Sequence, residues 1–169
     1  MSRLRSVLSI IPQDPVLFSG TVRFNLDPGR AADDADIWRV LEIAQLHRLV
    51  LELPHQLDTP ITDAGDGFSA GQKQLLCLAR ALLRNCRVLV MDEATACIDL
   101  ETDRIIHDIV QRQLSDCTVF VIAHRLSTIR HCDLIVVLSD GRLVEMGPPT
   151  NLCANPNSHF AKLLASNQL

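Results

Sequence analysis

Short apolar runs without polar alternation dominate this chain. They are Ser6–Ile11, Val88–Met91, Val119–Ile122 and Leu134–Leu138. Such runs are typical of strands that are covered on both faces, as strands in parallel sheets are. Helical patterns lie between them, so we predict an α/β fold with a mainly parallel sheet.

The segments between these runs carry apolar residues at helical spacing. Two such sets follow acidic residues that favour a helix start, namely Ile37, Val40, Leu41 and Ala44 behind Asp33–Asp34, and Ile105, Ile106, Ile109 and Val110 behind Asp99. Ser139-Asp140-Gly141 lies between two apolar runs and predicts a tight hairpin. No strand pattern of comparable strength occurs from Thr21 to Phe68, so we predict a helical insertion there.

Composition excludes several classes of function. The chain has 169 residues, 47% of them apolar, and a net charge of -4, which suits one globular domain and disfavours nucleic-acid binding. The apolar runs are far shorter than the roughly 20 residues that a membrane-spanning helix needs. The first residues show no signal-peptide pattern. The six cysteines have no metal-binding spacing and are expected to be reduced, small buried residues.

Polar side chains follow the predicted strands at the points where they end. Gln13 follows the first run, Asp92 and Glu93 the second, and His124 the third. The carboxyl ends of parallel strands share one edge, where ligands of open α/β sheets bind. Taken singly, the glutamine could be a turn residue, the two acids a helix start and the histidine a structural residue. Their expected convergence favours a functional site.

The stretch FSAGQKQLLCLARALL, from Phe68 to Leu83, begins with a helix start. Ser69 and Gln72 fit the capping box, and an apolar helix follows. Gly71 in the first turn costs the helix up to about 1 kcal/mol relative to alanine. We therefore expect a second reason for this glycine, such as close approach of the backbone to a ligand.

The order of these motifs resembles the nucleotide-binding domain of ATP-binding cassette (ABC) transporters. The resemblance rests on FSAGQ, then VLVMDE, then a histidine after the next strand, with a glutamine far upstream. PQDPVLFSGTVRFNLDP, DEATACIDLETDR and IAHRLSTI resemble the C subfamily, the multidrug resistance-associated exporters, and most closely their second, C-terminal nucleotide-binding domain. This implies a P-loop NTPase (RecA-like) core with a helical insertion.

The resemblance also implies roles for the residues at the sheet edge, with ATP and Mg²⁺ as the ligands. Asp92 would be the Walker B carboxylate that holds Mg²⁺ through water, and Glu93 would orient and deprotonate the attacking water. His124 would contact the γ-phosphate, and Gln13 would sense the γ-phosphate and the metal. Asp99 would be the D-loop aspartate that reaches a partner domain, or an ordinary helix cap, or both.

In this family the signature motif faces the nucleotide held by a partner domain. Ser69, Ala70, Gly71 and Gln72 stand at the signature positions, and the hydroxyl of Ser69 and the amide of Gly71 would donate to that γ-phosphate. Ala70 replaces the family's usual glycine, and Phe68 its leucine. We therefore expect this signature to face the weaker of two composite sites, while Glu93 belongs to the stronger one.

The sequence contains no P-loop, because neither of its lysines, Lys73 and Lys162, follows a glycine. We therefore expect the C-terminal part of a nucleotide-binding domain, truncated at its N-terminus and inactive alone. Its expected parts are a strand and Q-loop in 1–20, a helical subdomain in 21–68, a core with the remaining motifs in 69–149 and a helical tail in 150–169.

Two functions remain open. The chain is either part of an ATPase that powers export of organic anions or drugs, or a non-hydrolysing module that lends its signature surface to a partner. Expected partners are a second nucleotide-binding domain, in a head-to-tail ATP sandwich, and the transporter's transmembrane domains, at the cytoplasmic face of a membrane. Chromosome-associated ATPases share similar motifs but carry long heptad segments, which this chain lacks.

Overall fold

The computed structural model describes residues 7–62, 65, 67–94, 98–122, 129 and 132–166. The chain divides into two compact units, residues 1–122 and 123–169. Each unit has its own cluster of buried apolar side chains.

The described strands and helices have the following bounds, each set numbered in chain order. The strands are β1 (Leu8–Ile11), β2 (Gly20–Thr21), β3 (Pro60–Ile61), β4 (Val88–Asp92), β5 (Thr118–Ile122), β6 (Ile135–Ser139) and β7 (Arg142–Gly147). The helices are α1 (Val22–Leu26), α2 (Asp34–Ile43), α3 (His47–Glu52), α4 (Ala70–Leu83), α5 (Leu100–Gln113), α6 (Pro149–Ala154) and α7 (His159–Ser166). The four predicted strands and the predicted helices are confirmed, with bounds that differ by a few residues.

The first unit is built on a parallel sheet with the strand order β1-β4-β5. Leu89 and Met91 of β4 are buried in the main core, together with Leu76 and Leu78 of α4 and Ile106 of α5. This contact explains why Leu89 and Met91 are apolar.

The opposite face of this sheet is exposed, as expected for a nucleotide-binding domain that lacks its N-terminal strands. Ile10, Val90 and Phe120 stand side by side in the register, and the first and last are 59% and 58% exposed. In a complete nucleotide-binding domain, such apolar strands are expected to be covered on both faces. Within the described residues, helices α4 and α5 pack on the other face of the sheet.

The predicted helical insertion is present between β1 and α4. Helices α1, α2 and α3 bury apolar residues in the main core, and Arg23 of α1 pairs with Asp34 and with Asp58. The prediction missed one feature, the antiparallel pair β2–β3. Each of these strands has only two residues, which is too short to leave an alternating pattern in the sequence.

The second unit contains the predicted hairpin, β6–β7. Asp140 and Gly141 at its tip have φ angles of +51° and +73°, the left-handed backbone that a type I′ turn requires. Glu145 of β7 accepts hydrogen bonds from the amide of Phe160 at 2.9 Å and the hydroxyl of Ser158 at 2.8 Å. These bonds cap α7 and hold the pKa of Glu145 below its usual value, the amide being the larger cause.

Among the described residues, none of the helices has both the length and the apolar character to cross a membrane. The five cysteines in that part of the chain are free thiols. Burial, followed by contact with the Cys86 thiol, raises the pKa of Cys117 to about 11. A thiol with so high a pKa stays protonated and is a poor nucleophile.

Candidate functional site

Three of the predicted edge residues lie at the carboxyl ends of neighbouring strands. Ile11, Met91 and Val121 are aligned in the register, Asp92 ends β4, and Gln13 follows β1 by two residues. Asp92 and Gln13 are exposed, and Glu93 is half-buried. His124 falls in 123–128, outside the described residues, so its predicted place at this edge remains a prediction.

Glu93 has an unusual backbone. Its φ angle is +46°, in the left-handed region that non-glycine residues rarely occupy. Its amide donates to the carbonyl of Ile122 at 2.9 Å, which extends the β4–β5 hydrogen bonding by one residue. Unfavourable backbone angles of this kind are frequent at functional sites, where the surrounding structure enforces them.

The predicted capping box at the start of α4 is confirmed. The amide of Gln72 donates to the hydroxyl oxygen of Ser69 at 3.2 Å, and the amide of Ser69 donates to Oε1 of Gln72 at 2.9 Å. A hydroxyl can accept and donate at once, so this cap leaves the Ser69 hydrogen able to bind an anion. Ser69 and Ala70 are both exposed.

Gly71 makes its close approach to a neighbouring helix. A Cβ atom at this position would lie 3.0 Å from both Oγ1 and Cγ2 of Thr102, in the first turn of α5. The glycine therefore has a packing reason that the sequence analysis did not foresee. Because Gly71 is buried, a side chain there would meet protein rather than open space.

Asp99 is the N-cap of α5, as one of the two interpretations predicted. It accepts from the amides of Thr102 and Glu101 at 2.9 and 3.0 Å and from the hydroxyl of Thr102 at 2.8 Å. The Thr102 amide, followed by its hydroxyl, lowers the pKa of Asp99. Thr102 therefore contacts both the Asp99 cap and Gly71, and it links the starts of α4 and α5.

Sequence reasoning missed two polar residues of α4, Gln74 and Arg80. Both reach back to the loop that follows β1, where Gln13 lies. The available signal was Gln74, because it shares the buried stripe of α4 with Leu78 and Ala81 at i+4 and i+7. A polar residue on an apolar stripe indicates a buried hydrogen bond.

A groove of about 880 Å³ lies in the first unit beside this loop. Its walls come from β1, the loop after it, α2 and the C-terminal half of α4. Phe18 and Val16 contribute exposed apolar surface, and Arg39, Arg80 and Arg84 contribute positive charge.

Comparison with known proteins identifies the family of this chain. The family model described as "ABC transporter" matches residues 1–96, more than half of the chain. The chain belongs to the ABC transporter family. It is part of an ABC nucleotide-binding domain, and its P-loop NTPase type of α/β fold is confirmed.

Its relatives belong to the C subfamily of ABC transporters. Multidrug resistance protein mrp-7 of Caenorhabditis elegans is 53% identical over 162 residues, which are 96% of this chain and 11% of that protein. ATP-binding cassette sub-family C member 3 of Rattus norvegicus is 55% identical over 151 residues, 89% of this chain and 10% of that protein. The chain thus spans about a tenth of these curated relatives.

A solved structure also matches. The structure of a bacterial Atm1-family ABC exporter with ATP bound has a TM-score of 0.89 and 36% sequence identity to this chain. The match covers 99% of this chain and 29% of that one. Sequence and fold therefore agree on the ABC family.

The Gly71–Thr102 contact yields a prediction for this ABC domain. We expect Gly71→Ala to lower the free energy of unfolding by about 1 kcal/mol or more, because overpacking costs more than the gain in helix propensity. In a Thr102→Ala background the same change should cost less, because the two atoms at 3.0 Å are gone and only the Cβ atom of residue 102 remains, at 3.3 Å. Urea unfolding of all four proteins of the cycle measures this coupling. The packing explanation is wrong if Gly71→Ala has equal effects in both backgrounds.

Proposed function

We propose that this chain is the ATP-binding and ATP-hydrolysing portion of an exporter that moves organic anions or drugs across a membrane. The observation that carries the proposal is the Asp92–Glu93 pair at the end of β4, at the same sheet edge as Gln13. In an ABC domain, this is where a metal-bound nucleotide and its attacking water would lie.

The described residues fit a Mg²⁺ ion that arrives with the nucleotide. Mg²⁺ in such sites takes one or two carboxylates and completes its shell with phosphate oxygens and water. Asp92 and Gln13 offer exposed oxygens, and no group of three or more His, Cys, Asp or Glu in the described part of the chain could hold a metal by itself. When bound, Mg²⁺ would neutralise charge on the phosphates.

The catalytic step follows from general acid–base chemistry. Glu93 accepts a proton from a water molecule as its oxygen attacks the γ-phosphorus of ATP, and the bond to the ADP oxygen breaks. Gln13 and His124 orient the γ-phosphate and this water. Asp92, the residue before Glu93, would hold the metal.

A phosphate anchor must come from outside this sequence, which has no glycine–lysine P-loop. We infer that Ser69, Ala70, Gly71 and Gln72 face ATP held by a second nucleotide-binding domain, in a head-to-tail arrangement, and that Asp99 reaches the same partner. The exposed methyl group of Ala70 would keep phosphate at a distance, in agreement with a weaker composite site.

The groove beside the Gln13 loop suits the other proposed partner, a transmembrane domain. It combines apolar walls with three arginines and two aspartates, Asp27 and Asp36, and Asp36 pairs with Arg39, so it can accept a short amphipathic segment. With such a partner, we propose that the chain lies at the cytoplasmic face of a membrane. We propose that, within this assembly, residues 1–20 form a strand and the Q-loop, 21–68 a helical subdomain, 69–149 the core and 150–169 a helical tail.

The absence of a P-loop lysine favours one alternative. The chain could be a non-hydrolysing module that only lends its signature surface to a partner domain. Both functions predict that the chain alone binds Mg-ATP very weakly, since carboxylates repel phosphate and amide anchors are lacking.

Equilibrium dialysis with Mg-ATP, together with a hydrolysis assay, distinguishes the ATPase from the non-hydrolysing module. The samples are the chain alone, the chain extended upstream by the corresponding segment of the rat sub-family C member 3 protein, and the chain mixed with a partner domain. We expect negligible binding by the first and restored binding with hydrolysis by the second. Binding without hydrolysis in the second would favour the module, and micromolar binding by the chain alone would contradict both.

The third sample tests the signature surface. Any gain in binding over the partner domain alone should vanish with Ser69→Ala plus Ala70→Asp. Ser69 and Ala70 are chosen because both are exposed, whereas a larger residue at Gly71 would collide with Thr102 and disturb the fold. Lys162→Ala, at an exposed position of α7, serves as the control and should leave the gain unchanged.

A further inference from the structure

Gln74 lies in the core of the first unit and holds the loop that carries Gln13. Its side chain is on the buried stripe of α4, and the residue is only 2% exposed. Nε2 donates two hydrogen bonds of 3.0 Å, to the carbonyl oxygens of Pro12 and Gln13. Contacts that join residues more than 60 positions apart fix the loop to the helix.

The same helix holds the far end of this loop through Arg80. Its guanidinium donates to the carbonyl of Val16 at 2.9 Å and to Oδ1 of Asn25 at 2.8 Å, and it also bonds the carbonyl of Asn25. Asn25 in turn exchanges two 2.8 Å hydrogen bonds with the backbone of Phe18. Helix α4 therefore holds residues 12–18 at both ends.

We propose that Gln74 is a positioning residue that makes the Gln13 loop and the signature helix α4 move as one body. The inference rests on the proposed function, in which Gln13 senses the nucleotide of its own domain and Ser69 contacts that of the partner. Through Gln74, a shift of one element displaces the other. Gln74 touches neither nucleotide.

The chemistry of the contact explains why this position needs an amide. Both loop groups are carbonyl oxygens, which only accept, and the Gln74 amide nitrogen supplies two donors to them. In the described structure Oε1 of Gln74 is buried without a hydrogen-bond partner, so the acceptor half of the amide contributes no hydrogen bond. A side chain of similar shape without donors would leave both carbonyls unpaired.

The test uses a complete C-subfamily transporter in which this chain replaces the corresponding segment. We expect Gln74→Met to lower kcat on the order of ten- to a hundred-fold while KM for ATP stays within about twofold, because misplacement acts on the reacting geometry. Gln111→Met is the matched control, because Gln111 is exposed on α5. It should leave kcat and KM unchanged.

A second variant separates donation from shape. Gln74→Glu has the same shape, but its carboxylate cannot donate, whereas the protonated acid can donate once. Its kcat, relative to that of the unchanged transporter, should therefore rise as the pH is lowered. Equal kcat for Gln74→Met and the unchanged transporter, or a Gln74→Glu ratio that does not change with pH, would overturn the proposal.

A measurement on the native glutamine keeps the proposal testable if these variants fail to fold. Spin labels at the exposed residues Asp14 and Arg84, in a background without native cysteines, report the distance between the loop and α4. We expect this distance to stay the same when ATP binds. A change of several ångströms would show that the two elements move separately.

Failure of this inference can be told from failure of the proposed function. If the transporter with the grafted chain does not hydrolyse ATP before any substitution is made, the proposed function fails. If it hydrolyses ATP and Gln74→Met has the same kcat, only the positioning role fails.

Discussion

We expect the replacement of Glu93 by glutamine, in a complete transporter that carries this chain, to stop ATP turnover and to leave ATP binding intact. A positioned general base contributes about 10² to 10⁴ in rate, and the amide keeps the shape of the side chain but cannot take up the proton. The fold should tolerate the change, because glutamine occupies the left-handed backbone of Glu93 as readily as glutamate does. Phosphate release and nucleotide binding are measured on the same preparation.

The matched control for this prediction is Glu52→Gln, which makes the same chemical change at an exposed residue that ends α3. It should hydrolyse ATP at the rate of the unchanged transporter. Normal turnover by the Glu93 variant would remove this residue from its proposed role. Loss of nucleotide binding together with turnover would point to a binding role instead.

The second large effect concerns the uncovered face of the β1-β4-β5 sheet. Ile10, Val90 and Phe120 form an apolar row across it, and Ile122 extends the apolar surface along β5. Exposed apolar faces of this kind drive association, and within the described residues the outer edges of β1 and β5 have no strand partner. We expect the chain alone to form oligomers or aggregates, and Phe120→Lys together with Ile10→Lys to raise its monomeric fraction severalfold.

Sedimentation velocity at several concentrations measures that fraction. Leu51→Lys is the control, since Leu51 is 47% exposed but lies on α3, away from the sheet. It should change the monomeric fraction little. A monodisperse monomer of the unchanged chain, with a cooperative thermal transition, would show that the sheet face does not drive association.

The elements that the sequence predicts well are those with local causes. The strand β4 follows from one apolar run, the start of α4 from the Ser69–Gln72 capping box, and the β6–β7 hairpin from Asp140-Gly141. Each depends on residues within a few positions of one another. The same locality places Asp92 and Glu93 at the end of β4.

What the sequence alone could not predict is set by contacts between distant segments. Gly71 is needed because the Thr102 side chain of another helix lies close to it. Gln74 is needed because it donates to backbone carbonyls about 60 residues upstream, such as that of Pro12. No local sequence pattern indicates which helices pack against each other or which loop contacts α4. The apolar runs likewise could not reveal which face of the sheet is uncovered, because their composition is the same on both faces.

The left-handed backbone of Glu93 bears on any attempt to make this domain more durable. An L-residue at such angles costs on the order of 1 kcal/mol, which glycine or asparagine would largely recover. A screen for heat resistance would therefore favour replacing Glu93, the carboxylate that we propose as the general base. Selection for stability and selection for activity therefore favour different residues at this position. Screens on the domain must score ATP hydrolysis alongside melting temperature.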